Sequence, residues 1–247
     1  MTAWARLTWQ AKDPAALAAD LERRLGRGAA VRRGLGGERV IRMDGGDVHI
    51  VPWRVEAADD TPRPEGRLLF EPVNPGGDGL AVADDAERGP AEVLLAAPPF
   101  RLAGVGWATV ELDRSSAELD PWLEPTLDGL DGPDGHDPHL GALTRVRRSP
   151  GLPGEALVLA EPVTEGRLAA ALARDGEGPC VLYLEPADGL GAWRAGAASR
   201  GITTSAIRPG PLGPSVLVSG TRSGPHLVVI EGPDGSSPGA HGGTIDP

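Results

Sequence analysis

The chain has little of several residue types that carry chemistry or mark a location. Its 247 residues include one cysteine, Cys180, and one lysine, Lys12. A single cysteine excludes an internal disulfide, and no cysteine or histidine spacing is typical of a structural zinc site. No apolar run approaches the roughly 20 residues that cross a bilayer. The start, "MTAWARLTWQAKDPAAL", lacks the basic and apolar segments of a secretion signal. We therefore predict a cytoplasmic protein with no membrane partner.

Positive charge is also scarce. The chain carries 24 basic and 35 acidic residues, and its formal net charge is −11. Affinity for nucleic acid comes largely from Lys and Arg side chains that neutralise phosphates, so we expect no nucleic-acid partner. The hydrophobic residues, 40% of the chain, are enough to bury a core. Glycine and proline stand mainly between apolar runs, where they mark turns.

The first 56 residues have a regular pattern of one strand, one helix and three strands. "ARLTWQ" (5–10) alternates as a strand does. Asp13 and Pro14 are typical of a helix start, Leu17, Leu21 and Leu25 share one helix face, and Gly26 marks the helix end. Strand-like runs at 29–35, 38–44 and 47–53 follow.

The same pattern returns twice. The second pass has a strand at 106–113, a helix at 114–123, a polar loop at 128–139, and strands at 141–148 and 155–163. The third has a helix capped by Thr164 and ended by Gly176, a strand at 180–186, a helix at 187–201 and three short strands. Between the first and second passes, 66–73 is an extra strand and 57–66 and 74–91 are loops.

The repeated order of elements predicts an α+β fold built from βαβββ modules. We divide the chain into an N-terminal half (1–98) that contains the module 1–56, a C-terminal half (99–233) that contains the passes 104–163 and 164–233, and a disordered tail (234–247). The modules can pair within one chain or between two copies in a homodimer, and the sequence leaves both open.

Two stretches carry a family resemblance. "LTWQAKDPAALAADLERRLG" (7–26) resembles the first strand and helix of the vicinal oxygen chelate superfamily, which includes glyoxalases, bleomycin-resistance proteins and extradiol dioxygenases. "EGRLAAALARDGEGPCVLYLEP" (165–186) is similar to the segment of methylmalonyl-CoA epimerases in which a helix and a Gly-Glu-Gly turn lead into a strand. The resemblance implies that the modules form open, mixed, curved sheets with the helices outside, and that the concave face surrounds a divalent metal.

The metal ligands that the resemblance implies are missing from their expected positions. In the first strands these positions hold Arg6, Trp107 and Val181, and in the fourth strands they hold His49, Val158 and Val228. Of these, only His49 is an ordinary metal ligand. A register shift of one residue would bring Cys180 or Glu161 into consideration without assembling three ligands. We therefore predict no metal site and no cofactor.

Three residues are candidates for ligand binding. His49 alternates with Val48 and Ile50, so it is either a pocket base or a residual ligand, or an ordinary hydrogen-bonded histidine of a sheet. Arg6 and Trp107 stand where metal-dependent relatives have histidine. If these positions face the concavity, the guanidinium suits a carboxylate or phosphate and the indole an apolar wall; otherwise both are ordinary strand residues.

Other candidates have weaker support. Cys180 has no recognisable activating partner and is predicted to be a small buried side chain. The pair in "HDPH" (136–139) lies in a predicted loop, where an i, i+3 spacing does not guarantee a shared face. His226 and Glu231 are five positions apart on one strand and so face opposite ways.

Two functions from different classes remain open. The first is a metal-free protein that binds a small organic molecule in the concave sheet. The second is a lyase, isomerase or dioxygenase of the same superfamily that uses a divalent metal, with Glu161, Glu185 and Glu231 as displaced ligands beside His49. The sequence leaves open whether the protein is an enzyme and which small molecule it binds.

Overall fold

Three βαβββ modules follow one another along the chain. The computed structural model describes residues 6–26, 30–33, 38–44, 48–52, 68–71, 99–120, 134–149, 152–219 and 225–232. The first module consists of β1 (Arg6–Ala11), α1 (Pro14–Leu25), β2 (Ala30–Arg33), β3 (Arg39–Arg42) and β4 (Val48–Pro52). A separate strand, β5 (Leu68–Glu71), follows it.

The second and third modules have the same order. The second consists of β6 (Phe100–Ala108), α2 (Leu112–Leu119), β7 (Gly135–Asp137), β8 (Ala142–Arg148) and β9 (Ala156–Pro162). A linking helix, α3 (Arg167–Asp175), leads to the third, which consists of β10 (Gly178–Pro186), α4 (Gly189–Ser199), β11 (Arg208–Gly210), β12 (Gly213–Leu217) and β13 (His226–Ile230). In the described ranges, no helix is long and apolar enough to cross a membrane.

Each module pairs its first and fourth strands in parallel. These pairs are β1 with β4, β6 with β9, and β10 with β13, and they produce a five-stranded sheet (β2-β3-β4-β1-β5) and an eight-stranded sheet (β11-β12-β13-β10-β6-β9-β8-β7). The first strands of the second and third modules, β6 and β10, pair antiparallel. In the five-stranded sheet, β5 pairs antiparallel with β1 in the corresponding place. The predicted α+β class with repeated βαβββ modules is confirmed.

The sequence accounts for the first helix in detail. Asp13 accepts a hydrogen bond from the Ala16 amide at 2.9 Å, and Pro14 is the first helical residue, where its missing N–H costs nothing. Leu21 and Leu25 are buried on one face. Gly26 ends the helix at a φ of +107°, which only glycine adopts readily.

The eight-stranded sheet curls until its two edges meet. Tyr183 on β10 donates from its hydroxyl to Asp137 Oδ2 on β7 at 3.1 Å, although three strands lie between them. In a flat sheet these strands would be about 19 Å apart, at about 4.8 Å per strand. A second contact, from His139 Nε2 to the carbonyl oxygen of Ser215 at 3.0 Å, joins the turn after β7 to β12, which lies next to the opposite edge. The face that carries Tyr183 is therefore the concave face.

Small residues on β6 make room inside this curl. A Cβ on Gly106 would lie 2.6 Å from Cβ of Val181 and 3.2 Å from the Tyr183 ring. Around them, the concave face is packed with apolar side chains, including Leu168 of α3. Burial first, and then the neighbouring Asp137, raises the pKa of Tyr183 well above its usual range. The chain's own side chains thus fill the centre of this sheet.

The convex face of the eight-stranded sheet packs against α4 and the five-stranded sheet. Leu102, Leu182 and Leu184 pack there with α4 and with buried residues of the five-stranded sheet in one hydrophobic cluster. Trp193 of α4 stacks edge-on against Phe100, with ring centroids 6.4 Å apart, and donates from Nε1 to the carbonyl oxygen of Leu25 in α1. The two sheets share this core, and the division at residues 98 and 99 stays a prediction.

Several predicted bounds are wrong. The strand predicted at 106–113 spans Phe100–Ala108, because hydrogen bonds to Glu177 and Glu161 hold residues 109–111 in the turn before α2. The loop predicted at 128–139 contains β7, since Asp137 is held by Tyr183 from across the sheet. Helix α3 begins after Gly166 and not at Thr164, whose hydroxyl donates to Gly141. The loops at 57–66 and 74–91 and the tail at 234–247 lie outside the described residues.

The Gly-Glu-Gly turn (176–178) ties the third module to the second. Gly176 and Gly178 have φ values of +75° and +151°. They allow the chain to turn from α3 into β10. Glu177 Oε1 accepts hydrogen bonds from Thr109 Oγ1 at 2.8 Å, the Val110 amide at 2.7 Å and Arg114 Nη2 at 2.6 Å. Although burial of Glu177 alone would raise its pKa, these hydrogen bonds lower the pKa below its ordinary value.

We expect Gly106→Ala to destabilise the fold by about 1–3 kcal/mol, because the new methyl group must displace Val181 or Tyr183. Gly191→Ala is the control, since nothing lies within 4 Å of a Cβ in that exposed position of α4. The control should stabilise the protein by up to about 1 kcal/mol through helix propensity. Urea unfolding measures both, and equal stability of Gly106→Ala and wild type would contradict the packed interior.

We expect Glu177→Gln to destabilise the protein by about 1–2 kcal/mol at neutral pH, since it removes a charged acceptor of three hydrogen bonds. A lowered carboxyl pKa stabilises the fold above the ordinary value of about 4.3, and this stabilisation is lost as the pH falls through the folded-state value. The difference from wild type should therefore shrink in acid unfolding curves. Glu118→Gln, which changes an exposed partner of the same Arg114, should have little effect at any pH.

Candidate functional site

The two faces of the five-stranded sheet differ in character. One face carries Leu7, Trp9, Ile41, Val48 and Ile50, all of them buried against α1 and the shared core. Side chains alternate along a strand, so the residues between these positions point to the opposite face. We call that opposite face, defined by Thr8, Gln10, Glu38 and His49, the polar face.

Thr8 and His49 form the centre of the polar face. They lie directly opposite each other in the parallel register of β1 and β4, which puts their side chains side by side. Gln10 is two residues further along β1 and so shares their face. Thr8 is only 1% exposed, while Gln10 and His49 are half-buried.

Glu38 holds the His49 ring from the neighbouring strand. His49 lies opposite Val40 of β3, and Glu38 stands two residues before Val40, on the same face. Nδ1 of His49 is 2.7 Å from Glu38 Oε1, and both side chains are about one-fifth exposed. A carboxylate at this distance accepts a hydrogen bond from the imidazole and fixes the orientation of the ring.

Two buried polar atoms on this face have no hydrogen-bond partner in the part of the chain that the structure describes. They are Thr8 Oγ1 and Gln10 Oε1. An unsatisfied buried polar group costs roughly 1–3 kcal/mol, so a fold retains few of them without a reason. A ligand that bonds to these atoms would remove that cost. The polar face is therefore the candidate site.

The concave face of the eight-stranded sheet has fewer features of a ligand site. Nε2 of His226 and Oγ1 of Thr144 are also buried without a partner in the described ranges. Burial lowers the pKa of His226 and favours its neutral form. The same face carries a cluster of buried apolar side chains and Tyr183, which is already bonded to Asp137. These two unpartnered atoms therefore lie within a packed interior.

The residues in place do not fit the metal site that the superfamily resemblance implies. Val158, Val181 and Val228 lie on the concave face and carry no donor atom. Among the residues whose placement is described, no three His, Cys, Asp or Glu side chains are close enough to hold a metal ion. His49 and Glu38 supply one nitrogen and one carboxylate, which is two donors.

The structure does not bring the three predicted ligand-binding residues together. His49 lies on the polar face. Arg6 is the first residue of the same β1 strand, and its backbone is in register with Glu71 of β5. Trp107 lies on the other sheet, opposite Leu159, and packs half-buried against the cluster that includes Leu112 of α2. A ligand role for Arg6 and Trp107 stays a prediction.

Most of the remaining sequence candidates are buried or are bonded to other parts of the fold. Burial raises the pKa of Cys180 to about 12, which keeps the thiol protonated and unreactive. His136 is exposed on β7, while His139 bonds to Ser205 and Ser215 at the junction of the sheet edges. Glu161 accepts from the Leu112 amide, and Glu185 is paired with Arg101.

Sequence reasoning missed three members of the site. The alternation of "LTWQ" (7–10) puts Thr8 and Gln10 opposite Leu7 and Trp9, and this pattern was sufficient to place them on one face. Glu38 was not predictable in the same way. Its contact with His49 depends on the register of β3 against β4, which alternation within either strand does not determine.

Comparisons with known proteins give no matching family model and no matching curated protein. Solved structures do match. A methylmalonyl-CoA epimerase from Mycobacterium tuberculosis is 20% identical, with a TM-score of 0.46 over 57% of this chain and 95% of that chain. A Streptomyces coelicolor methylmalonyl-CoA epimerase bound to 2-nitronate-propionyl-CoA is 19% identical, with a TM-score of 0.40 over 53% of this chain and 96% of that one.

A third solved structure is a methylmalonyl-CoA epimerase in complex with methylmalonyl-CoA and ammonium. It is 21% identical and covers 54% of this chain and 98% of its own, with a TM-score of 0.40. Because these TM-scores are below 0.5, the fold assignment rests on the strand order and registers described above.

We expect Thr8→Val and Thr144→Val each to stabilise the free protein by about 1 kcal/mol. Both replace a buried hydroxyl that lacks a partner in the described part of the chain by a methyl group of similar size. Thermal or urea unfolding checks this expectation. A clear loss of stability in Thr8→Val would show that its hydroxyl is already bonded, and would remove the main support for the site.

Proposed function

We propose that this protein binds a small organic molecule on the polar face of the five-stranded sheet, without a resident metal ion. The observation that carries the proposal is the pair of buried, unpartnered atoms, Thr8 Oγ1 and Gln10 Oε1, beside the His49–Glu38 hydrogen bond. In binding sites, a few fixed polar groups on an apolar scaffold provide orientation and specificity. His49 is the residue to which we assign direct ligand contact.

The packed concave face of the eight-stranded sheet supports the same location. Tyr183, Val181 and Leu168 occupy the space that a ligand would need there. Displacing such side chains costs the dispersion contacts of a packed core. The corresponding face of the five-stranded sheet is the polar face, which presents polar atoms instead. We also retain Arg6, at the start of β1, as a proposed second contact for a longer ligand.

The proposal is tested by a fragment screen on the full chain, with binding followed by thermal shift and by NMR titration. A ligand that binds only the folded state raises its apparent stability. For compounds that bind, we expect Thr8→Val and His49→Ala to weaken binding about tenfold or more. Thr144→Val, the matched change in the other sheet, should leave binding unchanged. Compounds that bind all four proteins equally would locate the site elsewhere.

The second candidate is a metal-dependent lyase, isomerase or dioxygenase. The nitrogen of His49 and the carboxylate of Glu38, joined at 2.7 Å, are its support, and a third ligand would have to come from residues outside the described ranges. Elemental analysis of the purified chain separates the two proposals. Stoichiometric zinc, nickel, manganese or iron that is lost in His49→Ala would favour the enzyme and contradict the metal-free proposal.

A further inference from the structure

We infer that the ligand presents a neutral hydrogen-bond donor, a hydroxyl or an amide N–H, to Nε2 of His49, and that Glu38 is the positioning residue that makes Nε2 an acceptor. This inference rests on the proposed function and specifies the chemistry of the group that the site recognises. It follows from the hydrogen-bonding capacity of four side chains on one face.

Glu38 determines the tautomer of His49. A neutral imidazole has one N–H and one bare nitrogen, and the partner of one nitrogen decides the state of the other. An ionised carboxylate only accepts hydrogen bonds, so Glu38 at 2.7 Å requires the proton on Nδ1. Nε2 of His49 is then left with its lone pair. The pair of residues therefore presents an acceptor.

The two unpartnered atoms beside His49 can also accept hydrogen bonds. Gln10 Oε1 is an acceptor, and Thr8 Oγ1 accepts as readily as it donates. Together with His49 Nε2, the polar face thus offers three atoms that can accept from a ligand. Among these three atoms, only the threonine hydroxyl can also donate. A group with one or more O–H or N–H donors satisfies this set, and a group with acceptors alone leaves it unmatched.

The negative charge of Glu38 disfavours an anionic ligand at this site. The carboxylate of Glu38 lies beside the site, and desolvating a ligand anion next to it is unfavourable. The tautomer with the proton on Nδ1 is a neutral imidazole, so His49 in this form carries no charge. A carboxylate or phosphate group therefore has no cationic partner at His49. A neutral donor therefore differs from the alternative ligand, an anion bound by the guanidinium of Arg6.

The tautomer is tested without any ligand. In nitrogen-15 spectra at about pH 8, where an unperturbed histidine is neutral, wild type should show a protonated Nδ1 and an unprotonated Nε2 for His49. Glu38→Gln should shift the proton toward Nε2, because an amide can also donate to Nδ1. Glu185→Gln, the same change at the pair with Arg101, should leave the His49 signals unchanged. A protonated Nε2 in wild type would overturn the inference and leave the proposed function standing.

The ligand chemistry is tested with three probes of similar size. They are benzamide, with two N–H donors, N,N-dimethylbenzamide, with none, and benzoate, an anion. NMR titration of wild type should show benzamide binding about tenfold more tightly than either of the others, with shifts at Thr8, Gln10 and His49. In Glu38→Gln this preference should fall to about twofold or less, while Glu185→Gln retains it.

The outcomes separate the two proposals. Tighter binding of benzoate or N,N-dimethylbenzamide, with shifts at Thr8 and Gln10, would overturn the donor requirement and preserve the site. Tighter binding of benzoate specifically would favour the anion contact by Arg6. If none of the three probes perturbs the polar face up to its solubility limit, the proposed function and this inference both fail.

Discussion

The parallel pairing of the first and fourth strands in each module is the constraint on which the rest of the structure depends. It requires a long connection from the first strand to the fourth, and in every module that connection consists of one helix and two strands. The same pairing decides which residues become neighbours. Thr8 and His49 are 41 positions apart in sequence and lie side by side because of it.

The three modules share this constraint but use their faces differently. In the eight-stranded sheet, two modules join through β6 and β10, and the sheet curls until Tyr183 reaches Asp137. Gly106 leaves the space that this packing needs. In the five-stranded sheet, β5 stands where a second module would begin, and Thr8, Gln10 and His49 face away from the apolar core. The chain thus separates a packed pair of modules from a module with a polar face.

The fold was largely predictable because the modules are defined by local patterns. Asp13, Pro14 and Gly26 mark one helix, and alternating apolar residues mark most strands. The errors fall where contacts from distant residues override the local pattern. Glu177 reaches Thr109 and Val110 from 67 or 68 positions away and shortens the strand before them, and Asp137 becomes part of a strand because Tyr183 holds it.

The candidate site was predictable only in part. His49 was identified because histidine is chemically distinctive and lies on an alternating strand, whereas Arg6 and Trp107 were chosen by position within a family pattern. The structure puts Trp107 on the other sheet, against the residues around α2. Its neighbour on β6, Gly106, faces Tyr183 instead, because successive residues of a strand face opposite ways.

The sequence by itself determined most of the elements, the two ends of α1 and the two faces of each strand, because alternation and capping are local properties. Only the tertiary structure decided which faces meet and which atoms are left without a partner. The bond between His49 and Glu38 depends on strand register, and the burial of Thr8 depends on packing. Both are properties of residues that are distant in sequence, so no local pattern fixes them.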